Sequence, residues 1–465
     1  MMNNMNLAIK IKLVALSVCL SACQSNYHSS INDEVEIPAQ WQNSVPDVPN
    51  GTKLVQWVKS DRLNQLIEQA LKNNQTIQIN QLEVQKANLT LDRAGAVFWP
   101  QLDLSLSANR SKSDDAISNQ FRAGLSASYE IDLWGKLSDA QKAAQYNYQA
   151  ALSQLEQSQL ELVSSVSSQW LQMLATYQQV ELSKQRLINV QGNLDIVENG
   201  YKAGLNSALD VYLTRNSLES EKSNLVQQQA SFAEQSRQLA LLLGGYPKQD
   251  LWVGESFPEV DFTLLKGIPT ELVKQRPDVQ SAWLNIMINN ANLAIAHKNR
   301  FPSFQLSANV SDSQSNLSDL FSQGIAWSLS ASLLQPIFDA GQLATLEKQA
   351  EIELNQAELS YVQVLYNALE EIETGLNQLK SLKAQLESSE RSRDNAILAE
   401  ELAFEQYKRG LTDYSDYLST QRTAFNAKNQ VIEIKRQIIT NQIALHQALG
   451  GDSAIERNRL ETQED

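Results

Sequence analysis

The sequence repeats itself at long range, and this repeat limits the possible folds more than any other feature. A shift of 206 positions places Tyr201–Leu205 on Tyr407–Leu411 without a gap. The same shift places Gly244-Gly245 on Gly450-Gly451. Because self-similarity at a fixed period indicates repeated structural units, we predict two copies of one unit. Each copy is expected to form a helix, two strands, a long helix, a turn and a further helix.

Upstream of the long helices the shift becomes 202 positions. It places Phe98-Trp99-Pro100 on Arg300-Phe301-Pro302, and Leu91 on Leu293. The four extra residues of the second copy are expected to lie in a loop.

Two long segments without proline predict the helices, namely Lys136–Ala203 and Thr345–Arg409. At 1.5 Å per residue, each helix would be about 100 Å long. Apolar residues recur every three or four positions in the second segment, as in the seam of a coiled coil. Helices of this length need partners along their whole length.

Glycines follow both long segments, and further helical segments come after them. Gly204 and Gly410 are predicted to cap the long helices at their C-terminal ends. The next helices, at about 207–243 and 413–449, then return antiparallel. Each copy therefore contains a long helical hairpin with an exposed tip.

Four segments alternate apolar and polar residues with the period of a β-strand. They lie at about 101–109, 121–131, 303–311 and 325–334, and their polar positions are mostly Ser, Asn, Gln and Asp. A tilted strand of about ten residues can span a bilayer, and such polar side chains suit a water-filled lumen. A half-buried sheet of a soluble protein shows the same alternation.

Four strands are too few to close a barrel, and open strand edges are not tolerated in lipid. Eight strands from two chains would leave an interior filled by side chains, whereas twelve from three chains would leave a channel. A cyclic trimer is therefore the smallest conducting assembly. The predicted fold is mainly α with a membrane β-barrel portion: long antiparallel coiled-coil hairpins in two internal repeats, and a twelve-stranded barrel in a homotrimer.

The amino terminus has the features of a lipoprotein signal. Lys10 and Lys12 precede the apolar segment Leu13–Leu20, and Ser21-Ala22 precede Cys23. We predict a signal peptide at 1–22 and a lipidated extension at 23–55, with S-diacylglycerol and an N-acyl chain on Cys23. The alternative is an ordinary signal peptide with an incidental cysteine.

Composition excludes several classes of function. The net charge of −15 argues against nucleic acid as a partner, because binding phosphate needs a basic face. The three histidines, His28, His297 and His446, are too widely spaced for a metal site and are expected to be solvated. No grouping of nucleophile, histidine and acid and no phosphate-binding loop appears, so neither an enzyme nor a cofactor is expected.

Several motifs together resemble those of the TolC-like outer-membrane efflux factors, specifically the OprM/NodT-type lipoprotein branch that serves RND efflux systems. The matching residues are Asp61 to Asn74, Tyr129 to Lys136, Ile268-Pro269, Arg276-Pro277-Asp278-Val279, Phe301-Pro302, Pro336-Ile337-Phe338-Asp339, the two Tyr-x-x-Gly turns and Asn426-Ala427-Lys428. Within this resemblance, a first repeat at 56–245 and a second at 270–451 are joined by a connector at 246–269, and a polar tail follows at 452–465.

This resemblance implies a passive trimeric duct in the outer membrane of a Gram-negative cell. Its helices would form a tunnel across the periplasm and dock to a periplasmic adaptor and an inner-membrane RND-type transporter. Small toxic compounds would be the cargo. The alternatives are a type I secretion outlet and a lipid-anchored coiled-coil scaffold.

The resemblance also implies which residues form the periplasmic gate. Asp416 matches the first gate acid of the family, Ser419 stands where the second acid is expected, and Arg422 keeps the basic position. Asp210 is the equivalent of Asp416 in the first repeat. The alternative for both aspartates is a solvated carboxylate in the first turn of a helix, stabilised by the helix dipole.

The hairpin tips match the adaptor-facing turns of the family. Gly204, Leu205, Gly410 and Leu411 are therefore predicted adaptor contacts, although these residues also suit a simple helix cap. Trp99 and Trp134 are expected either in the aromatic belt at the headgroup level or buried beneath the barrel.

Overall fold

The computed structural model describes residues 58, 60–113, 116–247, 256–258, 273–322 and 324–451. The predicted signal peptide, Cys23, most of the connector and the C-terminal tail lie outside these residues. The helices are α1 (Asp61–Asn73), α2 (Gln75–Ala96), α3 (Lys136–Lys202), α4 (Ala208–Leu242), α5 (Pro277–Lys298), α6 (Gln342–Lys408) and α7 (Tyr414–Ala448). The strands are β1 (Gln101–Ser113), β2 (Ala116–Ile131), β3 (Ser303–Gln314) and β4 (Ala326–Leu334).

The two repeats contain helices of identical length. Helices α2 and α5 each have 22 residues, α3 and α6 each have 67, and α4 and α7 each have 35. The prediction of two internal repeats with long helical hairpins is confirmed.

The second long helix begins at Gln342, three residues before its predicted start. The carboxylate of Asp339 accepts hydrogen bonds from the backbone N–H groups of Gly341 and Leu343, at 2.9 and 2.8 Å. These bonds satisfy donors that have no partner inside the helix, so the helix extends toward the sheet.

The four strands form one antiparallel sheet in the order β1-β2-β3-β4. The register aligns Leu104, Leu125, Val310 and Trp327 across the sheet. The adjacent row, on the opposite face, contains Asp103, Ser126, Asn309 and Ser328. The predicted alternation therefore gives one apolar and one polar face.

The first strand pair is longer than its sequence pattern indicates. Pairing continues to Ser113 and Ala116, beyond the predicted ends at 109 and 121. Most of the outer residues are polar, and Ile117 lies opposite Lys112, so apolar and polar residues no longer alternate regularly there. A hydrogen bond of 2.7 Å between the hydroxyls of Ser111 and Ser118 joins the two strands there.

The helices lie side by side in a row. Next to the sheet the order is α2, α3, α5 and α6; further away it is α4, α3, α7 and α6. None of the helices described is both long and apolar enough to cross a membrane.

The main core lies where α1 and the ends of α4 and α7 pack against the middle of α3. Its largest buried side chains on α3 are Trp170, Leu171, Met173 and Leu174. The core thus holds both hairpins at their ends remote from the tips.

The expectation that the histidines are solvated is wrong for His446. It is buried on α7, which at this level also buries Ile443, Leu445 and Ala448. His297 is half-buried, and its Nδ1 lies 2.6 Å from Oε1 of Glu347.

Candidate functional site

The two hairpin tips have the same backbone geometry. Gly204 and Gly410 adopt φ values of +74° and +70°, a left-handed conformation that favours glycine. The N–H of Leu205 donates to the carbonyl of Gly200 at 2.8 Å, and the N–H of Leu411 donates to the carbonyl of Gln406 at 3.0 Å. With the bonds donated by the two glycines, each tip forms a Schellman cap, as the glycine pattern predicted.

The tip leucines are not used to pack the caps. Leu205 is 81% exposed and Leu411 is 72% exposed. In many Schellman caps this side chain covers the last helical turn. Here both leucines remain open for contact with another molecule.

The helices that follow the tips begin differently. In the first repeat, the N–H of Asp210 donates to the Ser207 hydroxyl at 3.1 Å, and the N–H of Ser207 donates to the Asp210 carboxylate at 3.0 Å. This reciprocal pair is a capping box. Asp210 is therefore held by its own helix terminus.

In the second repeat Asp413 stands where Ser207 stands in the first, and it makes no side-chain capping bond. A second carboxylate cannot form the reciprocal pair with Asp416 without bringing two negative charges together. Asp416 instead accepts a hydrogen bond of 2.8 Å from the Thr412 hydroxyl. Its carboxylate is exposed and does not cap α7.

The three predicted gate residues of α7 share one exposed side of the helix. Asp416, Ser419 and Arg422 follow one another at intervals of three, so they lie along one stripe. All three are exposed. Asp210 lies on α4, so it is not part of this stripe.

An aromatic cluster lies behind the tips and joins the two hairpins. Tyr414 and Tyr417 of α7 are buried against Val197 and Val211, with Phe404 and Tyr407 of α6 packed beside them. Burial, aided by the negative charge of Asp210, raises the pKa of Tyr407 to about 12. Burial also raises the pKa of Tyr417 to about 12.

A buried polar network further along the hairpins was not predicted. Arg186 of α3 forms an ion pair of 2.9 Å with the buried Glu221 of α4, and its guanidinium lies 4.3 Å from the ring centre of Phe425 on α7. Burial raises the pKa of the nearby Glu400 on α6.

Tyr417 extends this network between the hairpins. Asn193 of α3 and Gln421 of α7 each donate a side-chain hydrogen bond of 2.8 Å to the Tyr417 hydroxyl. These polar side chains thus connect α3 with both α4 and α7. The only sign of this network in the sequence is that polar residues occupy positions that are usually apolar in the seam of a coiled coil. This sign does not show which residues bind one another.

Within the residues that the structure describes, no group of three or more His, Cys, Asp or Glu side chains is arranged to hold a metal ion. The tips and the exposed stripe present apolar and charged side chains to the surroundings. The buried network holds the helices in position. The arrangement suits a passage or a contact surface.

The chain matches the family of outer membrane efflux proteins over residues 66–245 and 268–451. It belongs to that family. The match covers both repeats, including both tips and the stripe on α7.

Two curated relatives extend over most of the chain. The cation efflux system protein CusC of Escherichia coli O6:H1 is 30% identical over 399 residues, which is 84% of this chain and 86% of CusC. The pyoverdine export outer membrane protein OpmQ of Pseudomonas aeruginosa is 28% identical, covering 97% of this chain and 98% of OpmQ.

A crystal structure of CusC has the same fold, with a TM-score of 0.81, 27% identity, and coverage of 89% of this chain and 99% of that one. The protein is therefore an outer-membrane efflux channel component of a Gram-negative cell, with its helical part in the periplasm. The predicted family, the mainly α fold with its antiparallel strands, and the outer-membrane location are confirmed.

Proposed function

We propose that three copies of the chain form a passive duct from the periplasm to the exterior, as the outer-membrane part of a tripartite efflux system. The partners would be a periplasmic adaptor and an inner-membrane RND-type transporter. One observation supports the trimer. Apolar residues on the outermost helices of the chain are exposed, whereas the residues at the equivalent positions of the other repeat are buried between helices.

The helices show this at both ends of the row. Ala291 of α5 is buried, whereas its repeat equivalent Leu89 of α2, at one end of the row, is 67% exposed. Ser153 of α3 is buried, whereas its equivalent Leu359 of α6, at the other end, is 71% exposed. Large apolar side chains thus lie exposed at both ends of the row, as expected if another copy continues it.

The sheet supports the same assembly. Because all four strands alternate in direction, the edge strands β1 and β4 run in opposite directions. Strand β4 of one copy can therefore pair antiparallel with β1 of the next copy. Three copies give twelve strands and leave a lumen, whereas two give eight and fill it. The polar face would then line the lumen, and the apolar face would contact lipid.

We further propose that Cys23 carries the lipid anchor, after removal of residues 1–22. Two or more acyl chains give stable anchoring, at about 0.8 kcal/mol for each buried CH₂ group. The relative SilC of Salmonella typhimurium, described as a probable outer membrane lipoprotein, supports this proposal. Residues 56–245 and 270–451 would be the repeats, with the connector at 246–269 and the tail at 452–465.

For the gate, we propose that Asp416 is the charged constriction. Its carboxylate is exposed and free of capping, so three symmetry-related copies could converge and favour cations nearby. Ser419 contributes no second ring of charge. Arg422 lies beyond Ser419 on the same stripe, two intervals of three residues after Asp416. Asp210, held in its capping box, would shape the tip instead of the passage.

For docking, we propose that the tips Gly204-Leu205 and Gly410-Leu411 contact the adaptor. The glycines leave open space at the turn, and both leucines expose an apolar side chain that a helical partner can cover. The cargo would be small toxic compounds delivered by the transporter. The names of the two curated relatives give different cargoes, cations and pyoverdine, and this supports the proposal that the partner transporter selects the cargo.

The decisive experiment is deletion of the gene, followed by profiling of sensitivity to dyes, detergents, antibiotics and metal ions. Raised sensitivity that the intact gene reverses is the expected result. Unchanged sensitivity to every compound, in a strain that normally contains the trimer in its outer membrane, would contradict efflux.

A Cys23→Ala variant tests the lipid anchor. It should lose incorporation of labelled palmitate and still form trimers; unchanged labelling would contradict the anchor.

A further inference from the structure

The apolar face of β1 ends in two basic side chains. Every second residue of the strand lies on that face, namely Leu102, Leu104, Leu106, Ala108, Arg110 and Lys112. Both basic residues are exposed, and the residues of β2 that pair with them, Asn119 and Ile117, are uncharged. Two positive charges thus follow directly on an apolar stripe.

The position of this pair along the strand suits the level of lipid headgroups. Strand β1 begins next to α2, on the periplasmic side, so Arg110 and Lys112 lie near the end that points to the exterior. At about 3.4 Å per residue and a tilt of about 40°, Arg110 lies about 20 Å from Leu102 along the membrane normal. The apolar band of a membrane barrel is about 25 Å tall. Cations at its edge can reach the headgroups, whereas cations at its middle are strongly destabilising.

The other end of this apolar face carries an aromatic residue. Trp99, just before β1, is 77% exposed, which suits the aromatic belt expected there. Trp134 is instead half-buried below the sheet. Its ring packs on Phe301, with ring centres 5.3 Å apart, and its Nε1 donates a hydrogen bond of 2.7 Å to the carbonyl of Pro302.

The two strand pairs of the chain have the same register. Gln101 pairs with Ser128 in the first pair, and Ser303 pairs with Leu334 in the second. These residues are equivalent when β1 is shifted by 202 positions and β2 by 206. The repeat therefore also gives the register in which β4 of one copy would pair with β1 of the next.

This register places an aromatic residue beside the basic pair. Between β2 and β3, Phe121 pairs with Gln314. Their equivalents are Trp327 of β4 and Lys112 of β1. If β4 pairs with β1 of the next copy as β2 pairs with β3, Trp327 lies beside Lys112 of that copy. The apolar faces of the two strands then adjoin, whereas a slip of one residue would separate them. Trp327 is 78% exposed in the single chain.

We propose that Arg110 and Lys112 of one copy, with Trp327 of its neighbour, bind a phosphate group of an anionic lipid in the outer leaflet. Arg and Lys form charge-assisted hydrogen bonds with phosphate oxygens, and a tryptophan ring suits the boundary between headgroup and acyl chain. The inference rests on the proposed trimer and its barrel. Asp312 and Gln314 stand at the equivalent positions of the second repeat, so the site occurs only where two copies meet.

The test uses the full-length chain, reconstituted as trimers in vesicles of phosphatidylcholine. The vesicles contain either brominated phosphatidylglycerol or brominated phosphatidylcholine, and the difference between wild type and Trp327→Phe reports the quenching of Trp327. Each basic residue near the headgroups should favour the anionic lipid by about fivefold. We therefore expect half of the full quenching at a mole fraction about tenfold lower for the anionic lipid. High salt should reduce this preference.

Variants separate the basic pair from other charges. Arg110→Gln with Lys112→Gln should abolish the preference for the anionic lipid, and Arg110→Gln alone should weaken it. The matched control is Arg122→Gln, which removes one exposed positive charge from the opposite face of the sheet and should leave the preference unchanged.

Equal quenching of the wild type by the two lipids would overturn the inference, and this comparison decides the matter if the double variant fails to assemble. An unchanged preference in an assembled double variant would also overturn it. Asp114 and Asp115 follow β1 in the sequence, and neutralisation of the pair by these acids would give equal quenching. Absence of quenching by either lipid, or absence of wild-type trimers, would instead contradict the proposed barrel.

Discussion

Asn74 and Arg276 occupy the same place in the two repeats and join equivalent pairs of helix ends. The Nδ2 group of Asn74 donates to the carbonyl of Leu242 at 3.0 Å, and Nη1 of Arg276 donates to the carbonyl of Ala448 at 2.9 Å. Each bond links the C-terminal end of one helix to the N-terminal end of another. Helices α4 and α2, and likewise α7 and α5, thereby continue one another.

The two junctions differ in what else they hold. Asn74 also accepts from the N–H groups of Thr76 and Ile77 and so caps α2. Arg276 has no acceptor. It instead forms ion pairs of 2.8 Å with Asp278 and with Glu371 of α6, so the second junction also binds a third helix.

Replacing Arg276 should therefore cost more stability than replacing Asn74. We expect Arg276→Ala to lower the free energy of unfolding by about 2 to 4 kcal/mol, below the range for a fully buried pair because Glu371 is half-exposed. Asn74→Ala should cost about 1 to 2 kcal/mol. Urea unfolding followed by circular dichroism measures both, and equal losses would contradict the added role of Arg276.

Removing the charge of Asp416 should widen the conducting path. We expect Asp416→Ala to raise the single-channel conductance in planar bilayers and to reduce the preference for cations, because three like charges no longer face one another. Asp413→Ala is the matched control, since Asp413 is also exposed and makes no side-chain capping bond. Unchanged conductance in Asp416→Ala would return this residue to the role of a solvated helix-terminal carboxylate.

Alanine at three glycines should give three different effects on stability. Gly244 has φ +73°, and a Cβ there would lie 2.2 Å from the carbonyl oxygen of Asn73, so Gly244→Ala should be the most destabilising. Gly410→Ala meets open space and should cost about 1 kcal/mol through its positive φ alone. Gly192 lies inside α3 with open space around it, so Gly192→Ala should stabilise the protein by about 0.5 to 1 kcal/mol. Melting temperatures in that order are expected, and a different order would contradict the assigned backbone causes.

The tyrosines behind the tips should make the protein sensitive to alkali. Folding raises the pKa values of Tyr407 and Tyr417 from 10.0 to about 12, so their contribution to stability is complete below pH 10 and is lost as the pH rises through about 12. The double variant Tyr407→Phe, Tyr417→Phe should lose less stability over that interval than the wild type. Absorbance at the tyrosinate band should also lose its component near pH 12, and persistence of that component would contradict the assignment.

Local signals predicted much of this structure. The spacing of apolar residues and the glycines at 204 and 410 gave the long helices and their tips within three residues. The alternation of side chains gave the two faces of the sheet, because strand geometry alone imposes that period.

Contacts between residues far apart in the chain could not be predicted from the sequence. The network of Arg186, Glu221 and Phe425 and the bond from Asn193 to Tyr417 join different helices, and no local pattern sets such partners. The difference between Asp210 and Asp416 likewise depended on the residue three positions earlier, Ser207 in one repeat and Asp413 in the other.

The equal lengths of the paired helices have a consequence for the origin of the chain. If the contact between β2 and β3 and the contact between β4 and the next β1 are the same contact, the ring contains six equivalent units. A half-length ancestor with one strand pair and one hairpin would have closed that ring as a hexamer. Duplication of its gene would have turned every second boundary into a covalent link, and differences such as Asn74 against Arg276 would have followed once the two halves could diverge.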